Sequence, residues 1–480
     1  MAARNAASRR GSKVPRARAS GVHFARTPNP QPLLRAVDNG PTVCVDPTPY
    51  ISGGRDPGWG PHLDGFLSRN REALAAIGAE PHVVAGRNGI RLELKPGHSA
   101  GAVPLRSPVS GQVAGGLVVS PRFGWPGVGR VLAATGWGSG PQFLTQPLVP
   151  GSGREVPPWV LAGPVLQRLT NLLSDLKPGY QERIEVRTHP RGQIQWPAYV
   201  ANQMATGRWH HLPCKFSELG TDSRLRETIR WTLERIRLDL AATGGSDPMA
   251  LILATLAMHL LDQVADVPSR RPYRGELERN FGAGSLTSEV LREGLRAIGW
   301  IVDERGLGGG RSSEGLAWTL PLETLWERYV EKFARAEASL LGGRVRVGRL
   351  RETTVPLPWD HRSHRAIGHL IPDIIVEKRD GIEIIDAKYK AHFADLDVAG
   401  WKAFTEDAKE SLRADVHQVL AYAAVCGDVT NVTATLVYPV SAELYNELNF
   451  RSQHIVSASI PVGTRVKQLR LRALPFSGLN

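Results

Sequence analysis

Cysteine is scarce in this sequence, and the few copies are scattered. The three cysteines, Cys44, Cys214 and Cys426, lie far apart, and none belongs to a Cys-x-x-Cys pair. Disulfide frameworks, zinc ribbons and four-cysteine iron–sulfur clusters need several cysteines at short, regular spacing. The sequence therefore argues against all three classes and favours a reducing cytoplasm as the location of the protein.

Long apolar runs and phosphate loops are also missing. The longest apolar run, Ala250 to Leu261, ends before Asp262 and is shorter than the ~20 residues that a membrane-spanning helix needs. A buried helix is predicted there, and no membrane association. The glycine run at 308–310 lacks the Lys-Ser/Thr of a phosphate loop, so the chain is not expected to hydrolyse nucleotides itself.

Positive charge is concentrated at the amino terminus. The formal net charge is +13, and residues 1–37 contain eight basic residues and no acidic one, which leaves +5 for the rest (13 − 8). Such a segment can add sequence-independent affinity for phosphate, or it can be a solubilising extension. In both cases a disordered basic tail is predicted for residues 1–40.

Residues 41–240 are predicted to be β-rich at first and helical later. Gly89–Leu94 and Gln112–Val119 are short β-like runs, and Gly and Pro interrupt the surrounding sequence. Val165–Leu176 and Leu225–Leu240 carry apolar residues at intervals of three and four, which is typical of helices. Small irregular sheets or a partly open barrel, followed by helices, are therefore expected.

Two further parts complete the predicted organisation. Residues 241–320 are expected to form a helical segment that ends in a Gly-rich linker at 304–313, because that stretch has little apolar surface to bury. Residues 321–480 are expected to form the last domain. The residues that suggest chemistry are concentrated there.

The most informative segment, residues 371–390, predicts a β-hairpin. Two β-branched apolar runs flank Asp380-Gly381, a strong turn signal between strands. If these two residues form the centre of the turn, Asp373 lies across from Lys388. The hairpin would then carry charged side chains among apolar ones, which is costly unless the strand opens onto a site.

Asp386 completes a charged cluster on this hairpin. It would lie diagonal to Asp373, about 7–8 Å away, and would share a face with Lys388. Two carboxylates can hold Mg²⁺, which polarises a phosphate and acidifies water. The lysine can orient or deprotonate that water, or neutralise charge on the phosphate. The pattern predicts phosphodiester hydrolysis, with Asp373, Asp386 and Lys388 as catalytic residues and the two aspartates as metal ligands.

An acidic residue two positions before a lysine is weak evidence by itself. The same triplet occurs at Glu93-Leu-Lys95, Asp175-Leu-Lys177 and Asp407-Ala-Lys409, and such pairs are usually solvated surface charges. Asp386 differs because it lies on an apolar strand that follows a Pro-Asp pair at hairpin distance.

Two flanking helical patterns supply further polar side chains. Upstream, Glu327 could reach the metal or its water from the helix that precedes the hairpin, or it could be a surface charge. Downstream, Gln418 and Tyr422 lie four apart on one helical face, where they could contact the phosphate backbone, brace Lys388 or simply pack. Glu327 and Gln418 are predicted to be catalytic, and Lys390 and Tyr422 to bind substrate.

The order of these elements resembles the PD-(D/E)xK nuclease superfamily, and the sequence is similar to McrC, the nuclease subunit of McrBC-type modification-dependent restriction systems. The residues that carry the resemblance are Leu325-Trp-Glu-Arg-Tyr-Val330, Pro372-Asp373, Ile385-Asp-Ala-Lys-Tyr-Lys390, Asp415, Gln418, Tyr422 and Leu436-Val-Tyr-Pro439, with weaker matches at Arg191-Gly192, Ile194, Trp196, Leu225 and Ile229. The resemblance implies an α/β fold, in which a restriction-endonuclease-like mixed sheet flanked by helices forms the C-terminal domain.

The resemblance also implies function and partners. It implies Mg²⁺-dependent cleavage of DNA, modified or plain, in phage defence, together with a McrB-like AAA+ NTPase motor that the amino-terminal part engages. Two alternatives remain open. One is a stand-alone repair or recombination nuclease, and the other is a non-catalytic nucleic-acid-binding adaptor that activates an AAA+ partner.

Overall fold

The computed structural model describes most of the chain. The described residues are 32–51, 58–86, 89–137, 139–150, 156–176, 179–220, 222–242, 247–277, 288–303, 314–357, 368–391, 393, 405–425, 431–462 and 465–477. The linker predicted at 304–313 and most of the predicted basic tail lie outside these ranges.

A five-stranded sheet forms the centre of the N-terminal region. Its strands, in spatial order, are Leu33–Val37, Val113–Ser120, Ser99–Arg106, Trp318–Pro321 and Gln142–Phe143. The prediction that the disordered tail extends to residue 40 is wrong at its end, because Leu33–Val37 pairs in parallel with Val113–Ser120. Leu33 and Leu34 of this strand pack against two different hydrophobic clusters, which explains why the segment is ordered.

The strand Trp318–Pro321 ties distant parts of the chain together. It pairs with Ser99–Arg106 on one side and with Gln142–Phe143 on the other. The helix Leu322–Leu341 begins directly after it. The domain boundary predicted between residues 320 and 321 therefore falls inside a strand of the N-terminal sheet.

Smaller sheets and a set of helices surround this sheet. One three-stranded sheet contains Val43–Val45, Gly89–Lys95 and Glu80–Gly86, and another contains Gln193–Ile194, Leu212–Gly220 and Gly179–Arg187. Val149–Pro150 pairs with Glu314–Gly315. In the C-terminal part, Val355–Pro356 pairs with His369–Leu370. The longer helices of the N-terminal part are Leu63–Ile77, Gly124–Ala134, Pro158–Asp175, Ser223–Ala241, Pro248–Asp262 and Glu289–Val302.

The local predictions for this part are largely confirmed. The strands predicted at 89–94 and 112–119 and the helices predicted at 165–176 and 225–240 all have counterparts. The apolar run Ala250–Leu261 is helical as expected, but it is not fully buried, because Leu251 and Met258 are about half exposed. Only one face of that helix reaches the core.

A six-stranded mixed sheet, called here the C-terminal sheet, contains the predicted hairpin. Its spatial order is Arg344–Val347, Ile374–Glu377, Ile382–Ala387, Val432–Val440, Arg465–Pro475 and Ile455–Val462. The two pairings made by Val432–Val440 are parallel and the other three are antiparallel. The mixed α/β class expected from the sequence is confirmed.

Helices cover both faces of the C-terminal sheet. Ile374, Val376 and Ile385 belong to the same hydrophobic cluster as the helix Leu322–Leu341. Ile375 and Ile384 point the other way, into a cluster with the helix Glu406–Val425. A shorter helix, Ala442–Phe450, follows Val432–Val440 and packs into this second cluster through Leu448. The sheet is thus buried between two helical layers.

Candidate active site

The predicted hairpin exists, but its register differs from the expectation. Ile374 pairs with Ile385, and Glu377 pairs with Ile382. The turn spans Lys378 to Gly381 and closes with a hydrogen bond from the Lys378 N–H to the Gly381 carbonyl, 2.8 Å long. Asp380-Gly381 is therefore not the centre of the turn, and the prediction that Asp373 lies across from Lys388 is wrong.

The backbone of Asn431 explains why glycine is found at position 381. A Cβ atom on Gly381 would lie 2.4 Å from the Asn431 carbonyl oxygen, which accepts a hydrogen bond from the Ile382 N–H. The sequence signal for a turn was correct, but this glycine serves a close approach between strands. The centre of the turn lies one residue earlier in the chain than expected, and the pairing between the two strands shifts with it.

The observed register brings two carboxylates face to face. Continued by one residue, it places Asp373 across from Asp386 rather than diagonal to it. The Asp373 Oδ2 atom accepts a hydrogen bond from the Ala387 N–H at 2.9 Å. Asp386 is 1% exposed, and its Oδ2 atom lies 2.9 Å from the Lys388 ammonium nitrogen. Two acidic groups therefore share a small buried volume.

This proximity perturbs the acidity of Asp373. Burial, followed by repulsion from the Asp386 carboxylate, raises the pKa of Asp373 to about 8, while the hydrogen bond from Ala387 opposes the shift. Like charges held this close cannot both ionise cheaply unless a cation joins them. Such an environment is typical of functional carboxylates.

Lys388 lies beside the acidic pair. Its ammonium nitrogen is 2.9 Å from the Asp386 Oδ2 atom and donates a hydrogen bond of 2.9 Å to the Gln418 Oε1 atom. Gln418 in turn donates to the Tyr422 hydroxyl at 2.8 Å. Burial alone would lower the pKa of Lys388, but the negative charge of Asp386 reverses the effect, and the net shift is upward.

Glu327 reaches the same region from the other side of the sheet. It is half buried on the helix Leu322–Leu341. Burial raises the pKa of Glu327, and repulsion from Glu323 and then from Asp386 adds to the shift. The charges of Glu327 and Asp386 are thus close enough to interact.

Lys390 occupies a different environment from the other predicted site residues. Its ammonium group donates to the Asp415 Oδ1 atom at 2.6 Å and to the Ser411 hydroxyl at 2.9 Å. The Tyr438 hydroxyl donates to the other oxygen of Asp415 at 3.3 Å. In this arrangement Lys390 fixes the helix Glu406–Val425 against the sheet, and its predicted contact with substrate stays a prediction.

The residues that are present fit a hard divalent cation. Mg²⁺ is usually held by one or two carboxylates and keeps several waters. Asp373 and Asp386 provide two facing carboxylates; Asp386 is buried, and burial together with repulsion between the two raises the pKa of Asp373. Among the described residues, no group of three or more His, Cys, Asp or Glu side chains forms a larger ligand set. The donor set therefore suits Mg²⁺ better than zinc, which prefers four nitrogen or sulfur ligands.

Two residues next to the site were not identified from the sequence. Asp38 and Arg122 of the N-terminal region contact Tyr389, the residue between the two lysines. No local pattern could have indicated this contact, because 351 positions separate Asp38 from Tyr389. One local signal was the charged residue Asp38 directly after the apolar strand Leu33–Val37.

A family model for the McrBC 5-methylcytosine restriction system component matches residues 159–439 of the chain. This range covers more than half of the sequence and includes every predicted site residue. The chain belongs to this family. The McrBC-type resemblance expected from the sequence is thereby confirmed, and residues 41–158 lie outside the matched range.

Two solved structures are similar to the chain at low sequence identity. One is a half-complex from a tetradecameric assembly of Thermococcus gammatolerans McrB AAA+ hexamers with bound McrC. It is 11% identical, with 94% of this chain and 96% of that chain covered and a TM-score of 0.37. The other is the Thermococcus gammatolerans McrBC complex, which is 12% identical, with 63% and 87% covered and a TM-score of 0.27.

The search of curated protein sequences gave no match. Among the described helices of this McrBC family member, none combines the length and apolar character that crossing a membrane requires.

Proposed function

We propose that this McrBC family member is the McrC-like subunit of a restriction system. In this proposal it is a Mg²⁺-dependent DNA endonuclease of the PD-(D/E)xK type, acts with an AAA+ NTPase, and contributes to phage defence. The observation that carries the proposal is the facing pair Asp373 and Asp386 with the Lys388 ammonium 2.9 Å from Asp386. Family membership adds the restriction context.

The two aspartates are the proposed metal ligands. Mg²⁺ held by these carboxylates would supply positive charge to polarise the scissile phosphate and acidify the attacking water. The buried position of Asp386 keeps bulk water away from its carboxylate, which strengthens electrostatic interactions at the site. The hydrogen bond from the Ala387 N–H holds the Asp373 carboxylate in a fixed orientation.

Lys388 is proposed to act as a cation rather than as a base. Its raised pKa keeps the amine protonated at neutral pH, so the ammonium can donate to a phosphate oxygen or orient the attacking water. Gln418, itself held by Tyr422, fixes the direction of the ammonium group. Glu327, with its raised pKa, is placed to accept a proton or to orient a water from the opposite side.

An AAA+ partner is proposed for two reasons besides family membership. The chain has no Gly-Lys-Ser/Thr phosphate loop, so nucleotide hydrolysis that drives cleavage would be supplied by another protein. The N-terminal region also exposes a tryptophan surface, which we define as Trp196, Val200, Met204 and Trp209; both tryptophans are 60% exposed. The Tyr199 ring packs against Trp196, and its hydroxyl bonds to the Trp209 carbonyl. Exposed apolar patches of this kind often mark protein interfaces.

DNA cleavage by the full chain, with the neighbouring AAA+ protein, hydrolysable nucleotide and Mg²⁺, tests the proposal. Asp386→Asn should abolish cleavage without unfolding the chain, because it removes a metal ligand and keeps the side-chain volume. The matched control is Glu410→Gln, an exposed carboxylate on the helix Glu406–Val425, which should cleave like the wild type.

The outcomes separate the candidate functions. Cleavage by Asp386→Asn at the wild-type rate would refute the site assignment. Efficient cleavage of plain DNA by the wild-type chain alone would favour a stand-alone nuclease. Stimulation of the partner's nucleotide hydrolysis without any DNA cleavage would favour a non-catalytic adaptor.

A further inference from the structure

A buried carboxylate of the N-terminal region lies against the segment that contains Lys388 and directly follows the hairpin strand Ile382–Ala387. Asp38 directly follows the strand Leu33–Val37 and is 0% exposed. One of its oxygens accepts a hydrogen bond from the Arg122 main-chain N–H. The other accepts a hydrogen bond from the Tyr389 hydroxyl at 3.0 Å. Burying a charged group is costly unless it is paired, so Asp38 depends on these two hydrogen bonds.

Tyr389 is held at both ends by neighbouring residues of the N-terminal region. While Asp38 binds its hydroxyl, the Asn39 amide nitrogen donates to the Tyr389 carbonyl oxygen at 3.2 Å. The Arg122 guanidinium lies over the Tyr389 ring, 4.4 Å from its centre. The ring also packs against Phe123 and Phe476. Side chain and main chain of Tyr389 are therefore both fixed.

The position of Tyr389 gives this arrangement a consequence for Lys388. The two residues are consecutive, and the Lys388 N–H donates to the Val437 carbonyl at 2.9 Å. Lys388 is thus fixed by the sheet on its amino side and by Asp38 and Asn39 on its carboxyl side. A lysine that must meet a phosphate or a water within hydrogen-bond distance depends on the placement of its main chain.

We infer that Asp38 and Tyr389 are positioning residues for Lys388, through which the N-terminal sheet sets the geometry of the nuclease site. Asp38 touches neither substrate nor the proposed metal, and it acts through Tyr389. Displacement of the strand Leu33–Val37 would shift Asp38 and release Tyr389, so the site would respond to events in the N-terminal region. The inference rests on the proposed function, because it assigns a role to Lys388 in cleavage.

The test compares single-turnover cleavage by the full chain, with its AAA+ partner and Mg²⁺, in four variants. These are Tyr389→Phe, Asp38→Ala, the double variant, and Ser107→Ala as the control. Ser107 is buried in the N-terminal region and donates to the Tyr50 carbonyl at 2.7 Å. Its substitution also deletes a buried hydrogen bond, but at the opposite end of the strand Val113–Ser120 from Asp38.

Tyr389→Phe should lower the cleavage rate about 10- to 100-fold, the range usual for residues that orient a catalytic group. The KM for DNA and the Mg²⁺ concentration at half-maximal rate should not change, since both side chains are buried and neither is a proposed metal ligand. The double variant should be no slower than the slower single variant, because both changes remove the same bond.

Three results would overturn the inference. They are a wild-type rate for Tyr389→Phe, a loss no larger than that of Ser107→Ala, and multiplication of the two single effects in the double variant. If Asp38→Ala fails to fold, Tyr389→Phe decides alone, since it removes only one oxygen. Absence of any cleavage by the wild-type chain would instead remove the proposed function, and this inference with it.

Discussion

Replacement of Asp373 by asparagine should stabilise the metal-free protein at neutral and alkaline pH. The wild-type carboxylate faces Asp386 in a buried site, which raises the pKa of Asp373 to about 8. Asparagine has nearly the same shape and can still accept the hydrogen bond from the Ala387 N–H, but it carries no charge. The variant therefore removes the repulsion and leaves the packing unchanged.

The size of the effect follows from the pKa difference between the folded and unfolded chain. An acid whose folded-state pKa is raised costs nothing below about pH 4, where it is protonated in both states. The cost then grows with pH through the window up to about pH 8. At pH 7 the destabilisation of the folded wild type is at most about 4 kcal/mol. Structural relaxation and the nearby Lys388 reduce this value, and we expect ~1–3 kcal/mol.

Thermal unfolding in EDTA, measured from pH 4 to pH 8.5, detects this effect. The melting temperature of Asp373→Asn should exceed that of the wild type by several degrees at pH 8, at about 2–4 °C per kcal/mol. The difference should vanish near pH 4. Added Mg²⁺ should raise the melting temperature of the wild type, because a ligand that binds only the folded state stabilises it, and should leave the variant unchanged. Glu410→Gln, which changes an exposed carboxylate, serves as the control.

A variant that is equally or less stable than the wild type at pH 8 would refute the electrostatic argument. So would a stability difference that does not depend on pH. If Mg²⁺ stabilised the wild type and Asp373→Asn equally, the cation would not be bound by Asp373.

Two further predictions concern the turn and the partner surface. Gly381→Ala should lower the free energy of unfolding, measured in urea, by ~1–3 kcal/mol, because the new Cβ would lie 2.4 Å from the Asn431 carbonyl oxygen. The control Gly368→Ala has open space around it and should not change the stability. Equal stability of the two variants would contradict the register argument. Alanine at both Trp196 and Trp209 should weaken binding to the neighbouring AAA+ protein about 10-fold or more in a titration, and the melting temperature of the chain should not change. An unchanged affinity would show that the tryptophan surface is not part of the interface.

Local sequence patterns predicted much of the architecture. The hairpin at 371–390 and the helix around Glu327 could be predicted because their signals lie within about 20 residues of chain. The register could not be predicted, because the glycine at position 381 looked like a turn residue, while in the fold it accommodates the Asn431 carbonyl. The side-chain period of a strand is two, and a shift of the turn by one residue changes which residues face each other.

Long-range contacts account for what the sequence did not predict. The strand Trp318–Pro321 joins a sheet whose other strands all precede residue 144, and nothing in four residues identifies such partners. Likewise, Asp38 was assigned to a disordered tail, because the basic residues upstream of it dominated the local composition. Its partner Tyr389 is 351 positions away. The proposed catalytic residues could be predicted from their spacing, whereas the residues proposed to position them could not.

The most direct test of the central claim is a Mg²⁺ titration of DNA cleavage. The full chain and its neighbouring AAA+ protein are freed of metal with EDTA and supplied with DNA. Because the motor needs its own nucleotide-bound metal, the reaction is started by mixing with nucleotide and increasing Mg²⁺, while nucleotide hydrolysis is monitored separately. The account predicts saturable cleavage in the wild type and none in Asp386→Asn, although nucleotide hydrolysis is equal in the two. Equal cleavage by both proteins across the titration would contradict it.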